Sequence, residues 1–506
     1  MTTIERQLQS QAETEALAAE LSLFAQAGTA ILLEGGLGAG KSTFARAFIR
    51  ALALPGSTFD IPSPTFTLIQ TYDETRIPVA HADLYRLTST AELDELGLDD
   101  LLSNHILLVE WPERLTLEAL SGSLHVAIDG QGTARSLRLE GHGAWARALQ
   151  RNEIILQFIA ASPWRGAGRE FLEGDASFRR YEVLKCEGAA VVLMDMPARP
   201  DGPPVKNGKP YSAIAHLAEH IGAAVAVNEQ LCAMGYSAPR LHHCDLGRGL
   251  AIIEHLGEKV YGRMMLDGAD MREPLAAAVE LLADMTHRDW PARIPIPGGG
   301  NHPIHNYDRE AQQIEVGLLP MWFWPYLHGV EAPAAIRQEF EHEWAEVLPL
   351  ADPATPVWTL RDYHSPNLLW LPERHGIARV GLIDTQDCLL GHPAYDLASL
   401  LQDARVDIAA GRADELFDHY CRLRSQRGAF ARRDFETAYA VLGAQRASKI
   451  LGIFARLSKR DGKHGYLRHL PRVSRALERN LQHPALAGLK AWFGRHLPAA
   501  AREGRQ

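Results

Sequence analysis

The sequence predicts two domains: an α/β sheet domain over residues 1–150 and an α+β domain of two lobes over residues 151–506. Three observations predict this. Short apolar runs alternate with helical patterns over the first 140 residues. A Gly-containing polar stretch, EGHGAWARALQRNE (140–153), interrupts them and sets the boundary near residue 150. Two strand-rich patches then precede a long, mostly helical remainder.

The elements follow in order. The segment MTTIERQLQSQAETEALAAELSLFAQAG reads as an amphipathic helix ending near Gly28. TAILLEG (29–35), IPVAHAD (77–83), HILLVE (105–110), LHVAID (124–129) and RSLRLEG (135–141) read as strands, the last two as an antiparallel pair. IILQFIAAS (154–162) opens the second domain as a helix. RRYEVLKC (179–186) and AAVVLMDM (189–196) are strands about a charged turn, and a Pro/Gly-rich loop, PARPDGPPVKNGKP (197–210), follows. A helix is expected from Ser212 to Met234, then a strand, LAIIEHLG (250–257), leading into a linker between lobes. Beyond it the patterns are helical, broken by strands around VWTL (357–360) and RVGLID (379–384).

At 506 residues the chain exceeds one ordinary core, and length alone suggests about two to four domains. Apolar residues at 46% and charged residues at 23% are ordinary globular values, and no apolar run is long enough to span a bilayer. The N-terminal segment has no basic patch leading into an apolar one, so it does not read as a signal peptide. Cys186, Cys232, Cys244, Cys388 and Cys421 are scattered, with no CxxC pair. That argues against a zinc knuckle or a disulfide framework and fits a reducing cytoplasm. A formal net charge of −10 weighs against broad binding to nucleic-acid phosphates.

Gly35-x4-Gly40-Lys41-Ser42 matches the P-loop pattern in full, between an apolar strand and the amphipathic helix KSTFARAFIRALA. The first domain is therefore expected to have a P-loop NTPase fold. Gly35, Gly36, Gly38 and Gly40 let backbone N–H groups close around phosphate oxygens, helped by the helix N-terminus. Lys41 would reach the outer phosphates, and the Ser42 hydroxyl would join a magnesium shell. Asp83 and Glu110 each end a strand. Alone, either reads as a solvated turn. With a P-loop on the same sheet edge, both become candidates to handle magnesium and water. Ser63 or Thr65 in SPTFTL (63–68) would sense the nucleotide from a switch-like loop.

GLGAGKSTF, SPTFTLIQTY, HADLYRL and VEWPERL, in this order, resemble the TsaE family of small ATPases over most of residues 1–145. The resemblance implies an ATPase that works with proteins of the threonylcarbamoyl-transferase complex to make N6-threonylcarbamoyladenosine, meeting tRNA indirectly. It puts Lys41, Ser42 and Thr43 on nucleotide and magnesium, makes Asp83 and Glu110 the acidic site residues, and has Trp111 flank the site. Gly36 departs from the family, which usually has an acid there.

The second domain carries LRDYHSPNLLWL (360–371), in which Asp362 and Asn367 stand five apart. By spacing alone about one such pair should arise by chance in a chain this size. Its surroundings add the argument. A strand enters the loop, an apolar strand leaves it, and Asp384 in GLIDTQD ends a further strand. Phosphoryl transfer needs this set: Asp362 to orient and deprotonate a hydroxyl, Asn367 and Asp384 to hold magnesium. The bland alternative is that Asp362 caps a turn and Asp384 ends a core strand. Upstream, small residues of EGDASFRRYEVL (173–184), with Ser177 and Arg179, suit closure over nucleotide phosphates, and Glu254 in IIEHLGE lies where a linker would meet an adenine edge. Asp396 in AYDLASL is read two ways, as a support for the catalytic loop or as a helix N-cap.

GDASFRRY, VLMDMP, LRDYHSPNLLWL, LIDTQD and AYDLASL together resemble the aminoglycoside phosphotransferase-like family, which has a protein-kinase-like fold, over about residues 151–490. They look like its amino-sugar kinase branch, the AmgK-type anomeric kinases. That implies ATP-dependent phosphorylation of the anomeric hydroxyl of N-acetylmuramate or N-acetylglucosamine in peptidoglycan recycling. Two departures stand out. Leu360 replaces the usual His, and Met194 with Asp195 occupies the strand that usually carries a phosphate-pairing lysine. Arg179, Arg180 or Lys185 could supply that charge, and Glu229, the ordinary partner of such a lysine, is left without a role. Trp322, Phe323, Trp324 and Tyr326 could stack on a sugar, but such clusters usually bury themselves in a helical core. Two other readings stay open: an assembly factor with a catalytically dead kinase-like module, and a kinase of an aminoglycoside, choline or another small alcohol.

Overall fold

In the computed structural model the first element is a strand, where a helix was expected. Residues 1–65, 67–87, 92, 96–114, 122–130, 132–173, 179–199 and 202–503 are described. The chain divides into two compact units, Met1–Glu173 with Tyr181–Ala189, and Gly174–Arg180 with Ala190–Gln506.

In the first unit, β1 (Thr2–Leu8) alternates exposed and half-buried positions along TTIERQL, the period of a strand with one covered face. The helix begins only at α1 (Gln11–Ser22), where Ser10 caps it by accepting from the Glu13 N–H at 3.2 Å. A seven-stranded sheet is built from β1, β2 (Ala30–Glu34), β3 (Ile69–Tyr72), β4 (Val79–Asp83), β5 (Ile106–Glu110), β6 (Ser123–Asp129) and β7 (Arg135–Gly141), in the order β1-β7-β6-β2-β5-β4-β3. β6, β2, β5 and β4 run parallel, and both edges are antiparallel. β3 was not expected. After β2 the chain turns into α2 (Lys41–Leu52), which buries Phe44, Phe48, Ile49 and Leu52 completely. Each such burial contributes about 1.5–3 kcal/mol, so the turn preceding α2 is anchored by packing.

The stretch 140–153, expected as a connection, is instead the end of β7 and the start of one helix, Ala144–Ala160. Trp145, Leu149, Ile155 and Phe158 form one continuous buried stripe along it. Gly141 hides the continuity in sequence but is required: a Cβ there would stand 2.8 Å from the Trp145 carbonyl carbon. The unit also holds the antiparallel pair β8 (Gly168–Leu172) and β9 (Arg180–Cys186), of which β8 was not expected. Arg169 grips Glu182 through two nitrogens, at 2.7 and 3.0 Å, and reaches Asn152 at 2.7 Å.

In the second unit, the strand Leu250–Glu254 pairs with β10 (Ala189–Asp195) and with an unexpected strand, Leu241–Asp245. The loop 197–210 contains two short strands, Pro204–Lys206 and Lys209–Pro210, and the expected helix divides into Tyr211–Ile214 and Ile221–Ala233. The rest is a mostly helical lobe around the thirty-residue helix Arg432–Asp461. Two small antiparallel pairs, Val357–Thr359 with Leu389–Gly391 and Leu368–Trp370 with Val380–Leu382, hold the loop between them. Phe323 and Trp324 lie in the core of this lobe. No helix among the described residues is long and apolar enough to cross a membrane.

Candidate active sites

The first site lies beyond the carboxyl ends of β2, β4 and β5. Register places Asp83 beside Glu110 on neighbouring parallel strands, and Glu110 beside Leu33 at the root of the P-loop. Gly35 has φ 142°, and a Cβ there would stand 2.3 Å from the Ile128 carbonyl oxygen, so only glycine fits. Lys41 donates to the carbonyl oxygens of Gly35 (2.7 Å) and Gly36 (2.9 Å), and its Nζ lies 3.7 Å over the Trp111 ring. Burial lowers its pKa, against the opposing charges of Glu110, Glu113 and Asp83. A Cβ at Gly36 would meet nothing within 4 Å, so the departure from the family's acid has no steric origin.

Glu110 is held at both oxygens. Ser42 donates to Oε2 at 2.9 Å, and His81 Nε2 lies 3.1 Å from Oε1. Asp83 accepts from Thr65 Oγ1 at 3.1 Å and from the Tyr85 N–H at 3.1 Å, and the Ser63 and Thr65 hydroxyls are 3.0 Å apart. Both carboxylates are buried. Trp111 adopts φ 62°, rare for a large side chain, and packs on Tyr85 with centroids 4.9 Å apart. A cavity of about 350 Å³ is lined by Gly38, Gly40, Thr43, Lys41, Asp83 and Glu110, among others. Its hydroxyl and carboxylate oxygens are the hard donors that suit magnesium.

Two residues of this site escaped sequence reasoning. His81 shares the face of β4 with Asp83, and that period of two was its only signal. Arg135 donates from Nε to the Ala39 carbonyl at 2.6 Å, bracing the P-loop from β7.

The second site is built on the loop after Val357–Thr359. The N–H groups of Leu360 and Arg361 donate to Asp396, at 2.6 and 2.9 Å. Asp396 thus holds the loop, and Pro393 occupies the N-cap of Ala394–Leu401. Arg361 and Asp384 take positive φ, 66° and 62°, which turns the chain sharply at both places. Asn367 donates to the Asp362 carbonyl at 3.1 Å, and the Ile383 N–H donates to the Asn367 carbonyl at 3.1 Å, so the three polar residues share one framework. Arg179 Nη1 lies 2.6 Å from Asp384 Oδ1. Burial pushes Asp384 up to about 6, against the Arg179 charge. Burial would raise Asp362 too, but the charges of His364, Lys449 and Arg361 hold it below the ordinary value.

Asp362, Asn367, Asp384 and Arg179 line one cavity of about 220 Å³, with Arg446 and Lys449 on its helical wall. Beneath it Glu315 pairs with Arg361 and with Lys449 (2.7 Å), and accepts from Tyr307 and Gln445 (3.0 Å). Nothing local in sequence signalled this network, because its members lie on separate elements.

Other expectations fall elsewhere. Ser177 lies outside the described residues. Glu254 accepts from Arg374 at 2.6 Å and from the Arg240 N–H at 3.3 Å. Met194 and Asp195 are buried on β10. Of the three replacement cations, Lys185 pairs with Glu170 at 2.7 Å on the surface, and Arg179 lines the cavity. Glu229 accepts from the Leu241 N–H at 3.0 Å. Trp322, Phe323, Trp324 and Tyr326 do not line the cavity.

Two family models match the chain, and the second begins within the first compact unit, at β8. The family "Threonylcarbamoyl adenosine biosynthesis protein TsaE" matches residues 8–137, and "Phosphotransferase enzyme family" matches residues 168–435, more than half the chain. The chain is similar to the N-acetylmuramate/N-acetylglucosamine kinase of Caulobacter vibrioides, 37% identical over 362 residues, which is 70% of this chain and 98% of that protein. The enzyme of the same description from Pseudomonas putida is 30% identical over 59% of this chain and 79% of its own length. The tRNA threonylcarbamoyladenosine biosynthesis protein TsaE of Rickettsia conorii is 42% identical over 106 residues, 21% of this chain and 59% of that protein.

Proposed function

This chain belongs to the phosphotransferase enzyme family, with a TsaE domain ahead of its kinase half, and from that membership we propose that it joins two ATP-using activities in one cytoplasmic protein. The second unit phosphorylates the anomeric hydroxyl of N-acetylmuramate and N-acetylglucosamine, a step of cell-wall recycling. The gathering of Asp362, Asn367, Asp384 and Arg179 around one cavity carries this reading. Asp362 orients the sugar hydroxyl and takes its proton, the freed oxygen attacks the γ-phosphorus of ATP, and ADP leaves. Asn367 and Asp384 offer the oxygen donors that would hold magnesium, which neutralises charge on the phosphates when bound. Arg179 supplies a positive charge in the cavity that Met194 cannot. The cationic helical wall opposes a polycationic aminoglycoside, and that supports a neutral or acidic sugar.

The first unit serves N6-threonylcarbamoyladenosine formation as an ATPase switch. Lys41, Ser42 and Thr43 take the nucleotide and magnesium within the loop of Gly35, Gly36, Gly38 and Gly40. Asp83 and Glu110 complete the magnesium and water site. The threonylcarbamoyl-transferase proteins are its partners, and tRNA is met through them; the net charge of −10 is consistent with that.

Incubation with ATP, magnesium and each amino sugar tests the kinase reading. Phosphorus NMR is expected to show an anomeric phosphate with both sugars and none with kanamycin or choline. A protein that forms no sugar phosphate with either sugar favours the dead-module reading.

A further inference from the structure

Two cations of the cavity beside Asp362, Arg446 and Arg456, have no assigned work. Arg446, on the helix Arg432–Asp461, is only 7% exposed yet lines the cavity. Its charge helps hold the Asp362 carboxyl below its ordinary value, and other charged groups of the cavity are engaged elsewhere. Arg179 lies on Asp384, and Lys449 pairs with Glu315 at 2.7 Å. Asp403, which also lines the cavity, accepts the N–H groups of Ser365 (2.8 Å) and Arg405 (2.7 Å). Among the described residues Arg446 makes no hydrogen bond and no ion pair. A guanidinium that faces a cavity without a hydrogen-bonded partner is free to receive an anion, and its flat fork matches a carboxylate through two parallel hydrogen bonds.

We propose that Arg446 is the specificity-determining residue of the sugar site, receiving a carboxylate carried by the substrate. This rests on the sugar-kinase reading and deepens it. N-acetylmuramate bears a carboxylate on its lactyl ether; N-acetylglucosamine has a hydroxyl in that place. The alternative anion is a phosphate of ATP. The residues around Arg446 favour the substrate: Ile450, Ile453, Phe454 and Tyr466 line the same wall, and that apolar and aromatic surface suits a sugar ring better than a triphosphate. Arg456, one helical face along, lies 5.8 Å from the Tyr211 ring and extends the positive wall.

The test uses the full chain with N-acetylmuramate, its methyl ester and N-acetylglucosamine, and the variants Arg446→Met and Arg446→Lys. Arg446→Met is expected to lower kcat/KM for N-acetylmuramate relative to N-acetylglucosamine by about 10- to 100-fold, mostly through KM. Arg446→Lys should recover part of that ratio. Wild type should lose a similar factor on the methyl ester, a comparison that stands even if Arg446→Met fails to fold. An unchanged ratio together with equal use of acid and ester overturns the proposal. So does a rise in KM for ATP with equal loss on both sugars, since Arg446 would then serve a phosphate. Wild type inactive on all three sugars overturns the sugar-kinase reading itself, and this inference with it.

Discussion

Glu110 and Asp362 are both carboxylates at strand or loop ends, yet each is defined by what holds it. Ser42 and His81 fix the two oxygens of Glu110, and Asp396 fixes the backbone just before Asp362. His81 is fully buried and points its Nε2 at the carboxylate, so it orients Glu110 for the metal and water that Glu110 is proposed to handle. His81→Ala is expected to lower ATP turnover of the first unit about 10- to 100-fold while fluorescent-nucleotide affinity stays within the wild-type range. Equal loss of affinity and turnover would instead mean that His81 supports the P-loop as a whole. Sequence reasoning singled out Asp83, Glu110 and Asp384 because each ends an apolar run, and Asp362 and Asn367 by their spacing in a loop between two strands. It missed His81 and Glu315, whose partners come from other elements, and it could not see that Arg446 is buried.

Among the elements, the helix Arg432–Asp461 braces the second site through Glu315. Lys449 on it meets Glu315 of the helix Arg309–Val316, and Glu315 meets Arg361 of the loop that carries Asp362. Burial alone would raise the Glu315 pKa, but the charges of Lys449 and Arg361 lower it from 4.5 to about 2. A depressed carboxyl stabilises the fold fully above its unfolded value and loses that contribution as pH falls through the folded one. The urea midpoint of the second unit is therefore expected to fall between pH 4.5 and about 2, and to fall less steeply in Glu315→Gln. At neutral pH that variant should lose about 3–5 kcal/mol, because two buried cations are left without their counter-charge. Elements were legible where periodicity was strong. β1 was not, because its alternation of half-buried polar residues runs straight into a helical segment. The helix Ala144–Ala160 was read only in its second half, because Gly141 and Gly143 look like a connection.

For the molecule as a whole, two phosphate-handling motifs in one chain are two sites with different chemistry. One gathers a P-loop, hydroxyls and two carboxylates on a parallel sheet; the other gathers an Asp, an Asn and a second Asp on loops beneath helices. Both family assignments were legible because several short motifs stood in family order, although each pair of residues alone was weak. The substrate preference was not legible, since it depends on which cations turn into the cavity. The central claim is that each site does its own work. Amino-sugar phosphate formation, measured in wild type, Lys41→Ala and Asp362→Asn, tests it most directly. The rate should be unchanged in Lys41→Ala and should fall about 10²- to 10⁴-fold in Asp362→Asn. Loss of sugar phosphate in Lys41→Ala, or its survival in Asp362→Asn, would contradict the account.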